Sequence, residues 1–426
     1  MLLYRAIIYL LFPLFITITV LKLRKTYGSF SRIIEFLGYY PSNQQSKGVI
    51  WIHAASVGEV IAATPMVSSL LERYTGQEIL LTTTTPTGSK EVDKSLGKRV
   101  IHAFIPYDAH GFVDRFFCHF QPSVGIIMET EIWPNLFHQC GKHNIPLILA
   151  NVRLSQRSLE GYQRWIPKLV KSALQNVTWA AVQGEADAKR LTALGVIPDR
   201  VTVTSSIKFD MTLPDDIKQQ GEELRGQLGI SRPVWIAAST REGEEEHVLD
   251  AHLRLLEQIP NALLILVPRH PERFSAVAKL ISSRGLKAVR RSSGQPCGDE
   301  VQAYLGDSMG EMLLLYSASD VAYVGGSLVP TGSHNMLEPA ALGKPVLFGP
   351  HRFNFAEASQ LLIDRGAAQE VTSADQLADA VIDLFQNREK WQQIGIQGRR
   401  VVEQNRGALD RLMEGVNRVA EDLLRR

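Results

Sequence analysis

Short apolar runs rich in β-branched residues alternate with amphipathic stretches along the first half of the chain. These runs occupy residues 49–53, 79–83, 100–105, 124–128, 146–150, 178–182 and 201–204. Runs of this length predict buried strands, and strands that alternate with helical periodicity predict parallel βαβ units. We therefore expect a doubly wound, Rossmann-like sheet over residues 26–212.

The same alternation restarts after a polar stretch at residues 210–231. Apolar runs return at 234–238, 262–267, 320–324 and 345–348, with weaker strand candidates at 287–290 and 301–305, and residues 387–426 have helical periodicity. This pattern predicts a second Rossmann-like domain over residues 213–426 that carries the terminal helices. Two such domains facing a cleft would place ligands beyond the carboxyl ends of their strands.

The N-terminal segment has a different pattern. Residues 6–21, AIIYLLFPLFITITVL, carry no charge, and basic residues flank them at Arg5, Lys22, Arg24 and Lys25. A helix that spans a bilayer needs ~20 apolar residues, so this run predicts a short span or a helix in the membrane interface. A cleaved signal peptide or a buried core helix are the alternatives. We expect residues 1–25 to be a membrane anchor, and the positive charge after it favours a cytoplasmic location for the following domain.

Composition and missing motifs exclude several classes of function. Lys and Arg (46) nearly balance Asp and Glu (44), so a global field that would attract nucleic acid is excluded. Three cysteines, Cys118, Cys140 and Cys297, do not form a disulfide framework or a zinc motif. The sequence has no G-x-G-x-x-G after a strand, no Walker A motif, no Asp-x-Asp pair and no HExxH. Dinucleotide redox chemistry, P-loop hydrolysis and a zinc site are therefore disfavoured.

Several predicted post-strand loops carry a capping residue followed three positions later by Glu. The pairs are Ser56–Glu59, Ser239–Glu242, Ser308–Glu311 and Asn335–Glu338. One interpretation is a capping box, in which the Glu satisfies a backbone N–H at a helix start. The other is an anion site, because helix N-termini bind phosphate and the nearby glycines of Gly325-Gly326-Ser327 permit close approach to the backbone.

A basic stretch with interleaved aromatic residues lies in the first domain. Between residues 151 and 171 the cations are Arg153, Arg157, Arg164, Lys168 and Lys171, and Tyr162 and Trp165 lie among them. Such a stretch is typical of a surface that meets anionic lipid headgroups. A solvated helix face is the alternative.

A series of motifs in order resembles one family across nearly the whole chain. They are HAASVGE (53–59), TTTTPTGS (82–89), METEIWPN (128–135), ANVRLS (150–155), SIKFD (206–210), STREGEEE (239–246), LVPRHPERF (266–274), GDSMGEM (306–312), YVGGSLV (323–329), HNMLEPAA (334–341) and GPHRFNF (349–355). Together they resemble the 3-deoxy-D-manno-octulosonic acid (Kdo) transferases, glycosyltransferases that add Kdo to the lipid A precursor of lipopolysaccharide. The resemblance implies a GT-B fold, a CMP-Kdo donor, a membrane-bound lipid A precursor as acceptor, no cofactor or metal, and a place on the cytoplasmic side of the inner membrane.

The resemblance also assigns residues. It implies that Glu59 is the general base and that Glu129 and Lys208 stabilise the transition state, although the neighbouring Glu131 is an alternative to Glu129. Lys208 suits a leaving phosphate because that negative charge must be met. For the donor, the resemblance implies contacts with Pro268, Arg269, Met309, Gly310, Glu311, Asn335, Met336, Leu337 and Glu338.

Two positions depart from the family pattern. The family's loop usually reads GGHNPLEP, whereas Ser333 and Met336 stand here at the second Gly and the Pro. We expect an altered loop backbone or donor affinity but a retained site, because Asn335 and Glu338 are present. Three rival functions stay open: a GT-B transferase of UDP-sugars, a sugar-nucleotide epimerase, and a non-catalytic, membrane-docked lipid-binding protein. The motifs do not give the number of Kdo residues transferred.

Overall fold

The computed structural model describes residues 32–41 and 48–424, together with scattered positions between residues 4 and 21. It has two compact units, the first comprising Met1–Asp210 with Arg406–Arg426 and the second Met211–Asn405. In the first unit the strands are β1 (Ile50–His53), β2 (Ile79–Thr83), β3 (Ile101–Phe104), β4 (Val124–Met128), β5 (Leu147–Val152), β6 (Val177–Val182) and β7 (Val201–Val203). The helices that connect them are α1 (Val57–Arg73), α2 (Pro86–Ser95), α3 (His110–Phe120), α4 (Pro134–Lys142), α5 (Gln156–Trp165), α6 (Pro167–Leu174) and α7 (Glu185–Leu194).

The first sheet is wholly parallel, in the order β3-β2-β1-β4-β5-β6-β7. Alternate residues of β1 enter different apolar clusters, Ile50 and Ile52 with α1 and Trp51 with Phe116 of α3. Burial of both faces explains why the strands are continuous apolar runs. The expected doubly wound sheet is confirmed.

The second unit repeats this plan. Its strands are β8 (Val234–Thr240), β9 (Leu263–Pro268), β10 (Ala288–Arg290), β11 (Ala303–Leu305), β12 (Val321–Val324), β13 (Val346–Phe348) and β14 (Ala368–Glu370). They form a parallel sheet in the order β10-β11-β9-β8-β12-β13-β14. Its helices are α8 (Ile217–Leu228), α9 (Glu245–Gln258), α10 (Phe274–Ser283), α11 (Met312–Ala318), α12 (Leu337–Ala341), α13 (Ala356–Asp364), α14 (Ala374–Gln386) and α15 (Arg388–Asn405). Both weaker strand candidates are confirmed as β10 and β11.

Short 3₁₀ turns join several of these elements. They are Ile33–Leu37, Gly97–Arg99, Pro198–Arg200, Ile207–Phe209, Pro271–Arg273, Arg291–Ser293 and Phe353–Phe355. The turn Ile207–Phe209 carries Lys208 and directly precedes the end of the first unit's continuous segment.

The last helix, α16 (Ala408–Leu424), differs from the expected domain division. It belongs to the first unit rather than the second, where Leu412 and Val416 pack in the cluster that contains Ile126. Gly415 permits the close approach, because a Cβ there would lie 2.0 Å from the ring of Trp179. The expected second domain of residues 213–426 is therefore wrong for its final segment, since a helix's sequence does not reveal which sheet it covers.

Most of the expected anchor, residues 1–25, lies outside the described residues. Of the described positions, Tyr4 donates to Asp108 (2.7 Å), Arg5 donates to Asn135 (3.1 Å), and the ring of Phe12 lies 5.2 Å from that of Phe112. Leu10, Leu14 and Leu21 are exposed. None of the helices within the described part of the chain combines the length and the apolar character needed to cross a bilayer.

Candidate active site

Glu59 lies in the first turn of α1, immediately beyond the carboxyl end of β1. Ser56 caps the helix by accepting from the Glu59 N–H (3.4 Å), and the Glu59 carboxylate accepts from Ala55 N–H (2.8 Å) and Ser56 Oγ (3.0 Å). The capping interpretation is therefore correct for this pair, and the side chain is held rigidly at only 8% exposure.

Three carboxylates approach one another at this carboxyl edge of the first sheet. Burial raises the pKa of Glu59 from 4.5 to about 7, and the charges of Glu129 and Glu131 add to the rise against the hydrogen bonds from Ala55 and Ser56. Burial also raises the pKa of Glu131, with Glu129 contributing in the same direction, while Trp133 Nε1 donates to Glu131 (3.0 Å) and opposes it. A carboxyl that titrates near neutral pH can accept a proton from a substrate.

Glu129 and Lys208 are fixed around the end of β5. Glu129 N–H donates to Ala150 O (2.8 Å), and Glu129 adopts a left-handed backbone with φ of 54°. Asn151, with φ of 56°, accepts through Oδ1 from Ile207 N–H (3.2 Å), which ties the Lys208 turn to the same strand end. Left-handed non-glycine residues persist where the surrounding structure holds them, commonly at functional sites.

The same edge carries buried polar atoms without a hydrogen-bond partner within the described residues. These atoms are His53 Nε2, Thr84 Oγ1 and Asn151 Nδ2. Burial lowers the pKa of His53 to about 4, so its imidazole is neutral at pH 7. His53 and Asn151 belong to the quoted motifs but had no assigned role. Their position at the carboxyl ends of the strands was the available signal, whereas their missing partners require a structure.

The predicted donor residues all lie at the carboxyl edge of the second sheet. Pro268 ends β9 and Arg269 follows it, Met309–Glu311 follows β11, and residues 335–338 follow β12. Asn335 donates to Glu338 (3.0 Å) and accepts from Leu337 N–H (3.1 Å), and burial raises the pKa of Glu338. The side chains of Met336 and Leu337 are fully buried, so these two residues can offer a ligand only their backbone.

Glu311 is part of an ion pair in this structure. Arg291 Nη2 lies 2.8 Å from Glu311 Oε1, and the hydrogen bond from Arg291 lowers the pKa of Glu311. Met309 is 61% exposed beside Gly310, whose φ is 85°. This loop therefore presents an exposed thioether and a left-handed glycine beside an ion-paired carboxylate.

Ser333 occupies a strained backbone position in the loop between β12 and α12. Its φ is 69°, in the left-handed region, and its side chain is 3% exposed, with Oγ donating to His334 O (3.2 Å). The family pattern places glycine here, which adopts this conformation without cost. Serine at this position therefore carries local backbone strain, and an altered donor affinity stays a prediction.

The glycine loop after β12 differs from the expected anion site. The N–H groups of Gly326, Ser327 and Leu328 donate to the fully buried Glu244 at 2.6, 3.0 and 2.9 Å. Tyr323 Oη and Arg241 N–H also donate to Glu244, at 2.8 and 2.9 Å. The prediction that a ligand approaches these N–H groups is wrong, because they already donate to the carboxylate of Glu244.

The pair Ser239–Glu242 is likewise not a capping box. Glu242 is 84% exposed at its side chain and pairs with Arg273 (3.0 Å), while α9 begins only after Glu244. Residues 244–246 are three consecutive glutamates, and only the structure shows that Glu244 and Glu245 are the buried ones.

The basic stretch forms two short helices, α5 and α6, separated at Ile166. Trp165 at this break is 74% exposed with Arg164 stacked 5.2 Å from its ring, and Ile166 is 38% exposed. Arg157, Arg164, Lys168 and Lys171 are all exposed around them. We call residues 156–174 the basic hairpin.

No group of three or more His, Cys, Asp or Glu side chains among the described residues is placed to hold a metal ion.

Known proteins are similar to this chain over most of its length. Residues 31–211 match the family described as 3-Deoxy-D-manno-octulosonic-acid transferase (kdotransferase). The chain is 43% identical to the 3-deoxy-D-manno-octulosonic acid transferase of Haemophilus influenzae, over 90% of each chain. It is 38% identical to the protein of the same name from Bordetella pertussis, over 79% of each chain.

A solved structure shares the two-unit fold. UDP-GlcNAc 2-epimerase from Neisseria meningitidis, bound to UDP-GlcNAc, superposes with a TM-score of 0.58 at 16% identity, covering 87% of this chain and all of that one. At this identity the likeness concerns the fold alone.

Proposed function

Because the chain belongs to the family of 3-deoxy-D-manno-octulosonic acid (Kdo) transferases, we propose that it transfers Kdo from CMP-Kdo to the lipid A precursor in lipopolysaccharide biosynthesis. The observation that carries this proposal is the 43% identity to a Kdo transferase over 90% of both chains. The proposed reaction is a single displacement that inverts the anomeric centre and needs no metal. The acceptor hydroxyl oxygen bonds to the anomeric carbon of Kdo while the bond from that carbon to the CMP phosphate oxygen breaks.

In this proposal Glu59 takes the proton of the attacking hydroxyl. Its carboxyl is held by Ala55 and Ser56, and a pKa of about 7 gives both a substantial ionised fraction and a strong driving force for proton uptake. Both carboxylate oxygens keep further lone pairs for the substrate. Capping and base catalysis are thus compatible, since capping fixes the base in place.

Lys208 and Glu129 act on the charges that develop during transfer. Departing CMP gains negative charge on its phosphate, which a lysine ammonium stabilises, while the anomeric carbon gains positive charge, which a carboxylate stabilises. The anchoring of both residues around β5 supports these roles. Trp133 already engages Glu131, which favours Glu129 as the working carboxylate.

The donor lies at the second unit's carboxyl edge in this proposal. Arg269 meets the CMP phosphate through its two-pronged guanidinium, and Glu338 accepts from the ribose hydroxyls. Backbone groups of Met336 and Leu337 and the loop of Met309, Gly310 and Glu311 complete the nucleotide contacts.

The acceptor is a lipid, and the proposal therefore includes docking to the cytoplasmic face of the inner membrane. The basic hairpin offers exposed cations beside an exposed Trp165, a combination suited to anionic headgroups. Leu10, Leu14 and Leu21 are exposed, whereas Tyr4, Arg5 and Phe12 contact residues of the first unit. This supports a segment that lies in the interface.

Mass spectrometry of the lipid product tests the proposed function. Purified protein is incubated with CMP-Kdo and tetraacyl lipid A precursor, and the lipid should gain mass in steps of one Kdo residue, which also counts the residues added. Excess EDTA should leave the rate unchanged. Donor consumption without an acceptor would indicate an epimerase-like activity, and transfer from a UDP-sugar but not from CMP-Kdo would contradict the donor assignment.

A further inference from the structure

Two arginines and two histidines converge at the carboxyl edge of the second sheet. Arg241 follows β8, Arg269 and His270 follow β9, and His334 lies in the loop after β12. Thr240 and Pro268 are paired in the sheet, and Arg269 N–H donates to Thr240 O (3.0 Å), so the two arginines leave neighbouring strands side by side. We call these four residues the Arg241 cluster.

Hydrogen bonds fix the orientation and charge of the Arg241 cluster. Arg241 Nε donates to His334 Nε2 (3.2 Å), and Arg241 Nη1 donates to His270 Nε2. A guanidinium has no acceptor, so His334 and His270 use a lone pair there. Burial, followed by the charges of Arg241 and Arg269, lowers the pKa of His334 to about 4, so its imidazole is neutral at pH 7. The cluster therefore holds two positive guanidinium groups, one of which donates to the neutral imidazole of His334.

Within residues 32–41 and 48–424, no carboxylate forms a salt bridge with the side chain of Arg241 or Arg269. Glu244 is engaged by the five donors described above, of which Arg241 supplies only its backbone N–H. Glu242 and Glu245 both pair with Arg273. Burial, followed by the charge of Arg269, lowers the pKa of Arg241, and the charge of Glu244 opposes this only in part.

The Arg241 cluster is also accessible. Arg269 is exposed, Arg241 is partly exposed, and Arg241 Nη2 makes no hydrogen bond within the described residues. Two adjacent guanidinium groups are suited to bind a ligand that carries two anionic groups close together.

We propose that Arg241 binds the carboxylate of the ulosonic acid in the donor, beside the phosphate that Arg269 binds. This rests on the proposed function. In a CMP-linked ulosonic acid the carboxylate and the phosphate share one anomeric carbon, so two anions lie one carbon apart. UDP-hexoses lack that carboxylate, so Arg241 determines specificity for the acid sugar, with His334 and His270 orienting its guanidinium.

The test separates binding of the nucleotide from binding of the acid. Arg241→Ala should raise the KM for CMP-Kdo by about tenfold or more, as expected for loss of a charge-assisted hydrogen bond. The same variant should leave the Kd of CMP, measured calorimetrically, within about twofold of wild type. Arg269→Ala should weaken both ligands. Lys279→Ala, which removes an exposed cation of α10, is the matched charge control and should change neither.

Each outcome decides the proposal. Retained CMP binding shows that the Arg241→Ala variant is folded, and partial recovery of KM in Arg241→Lys would support a charge contact. Equal weakening of CMP and CMP-Kdo by Arg241→Ala would make Arg241 a phosphate ligand and overturn the proposal, as would no effect on either. Wild-type protein that binds CMP but does not turn over CMP-Kdo would overturn the proposed function and this inference with it.

Discussion

Replacing Glu59 by Gln should increase the stability of the folded protein above neutral pH and decrease its turnover. An ordinary glutamate has a pKa of 4.5, and burial raises that of Glu59 to about 7. A raised carboxyl pKa means that the folded state prefers the protonated form. The contribution of Glu59 to the stability of the folded state is therefore fully present below pH 4.5 and is lost as the pH rises through about 7.

The magnitude follows from the two pKa values. At about 1.4 kcal/mol for each pH unit between them, ionised Glu59 costs the folded state about 3 kcal/mol above neutral pH. Gln keeps an oxygen to accept from Ala55 N–H but has no charge to bury. Glu59→Gln should therefore be more stable than wild type at pH 8 and nearly equal at pH 4.5.

Thermal unfolding across this pH range measures the effect. For a unit of this size, about 3 kcal/mol corresponds to a Tm difference of about 6–12 °C, which should appear between pH 4.5 and 8. Other titrating groups cancel when the variant is compared with wild type at each pH. Turnover should fall by about 10²–10⁴-fold, and the wild-type rate should rise with pH through about 7.

Two results would refute this reasoning. A Tm difference between wild type and Glu59→Gln that does not change from pH 4.5 to 8 would show that burial does not raise the Glu59 pKa. Appreciable turnover by the variant would remove Glu59 as the base. Glu160→Gln, at an exposed position of α5, is the control and should show neither effect.

Three further predictions concern other parts of the molecule. Glu129→Gln should lower kcat by about 10²-fold with a smaller loss for Glu131→Gln, and steady-state kinetics showing the reverse order would assign the role to Glu131. Ser333→Gly should raise Tm by about 2–4 °C, because relief of the left-handed strain at this residue is worth about 1 kcal/mol. A lower Tm for the variant would show that the Ser333 hydrogen bond stabilises the loop by more than the strain destabilises it. The double variant Arg157→Gln, Lys168→Gln should bind anionic vesicles about thirtyfold more weakly in flotation assays, because each lost cation is worth about 1 kcal/mol. The control variant Lys189→Gln on α7 should bind as tightly as wild type. Unchanged binding by the double variant would make the basic hairpin a solvated surface.

Most strands were predictable because they are apolar runs buried on both faces. Even β10 and β11 gave a signal, whereas β14 gave none, since Ala368–Glu370 is short and largely exposed. The placement of Glu59 beyond β1 was predictable for the same reason. Its pKa was not, because that depends on burial and on Glu129 and Glu131, which lie on a different loop.

Long-range partners account for the wrong predictions in the second unit. The glycine loop looked available because its N–H groups have no local partner in the sequence, yet Gly326 bonds to a carboxylate 82 residues earlier. The Arg241 cluster was hidden for a similar reason, since it assembles from three loops. Local patterns predict elements, but contacts between distant loops depend on the sheet order.

The division of the first unit into two chain segments affects how the protein folds while it is synthesised on the ribosome. Asp210 accepts from the N–H groups of Gly407 and Leu409, which fastens the start of α16 to the end of the first segment across the entire second unit. On the ribosome, the first sheet is thus synthesised first but remains incomplete until α16, which packs against Trp179, has been made, whereas residues 211–405 form a continuous segment. The second unit is therefore complete in the nascent chain before the unit that carries Glu59. A premature stop ahead of α16 would leave the second unit intact while exposing an apolar face of the first sheet to chaperones and proteases.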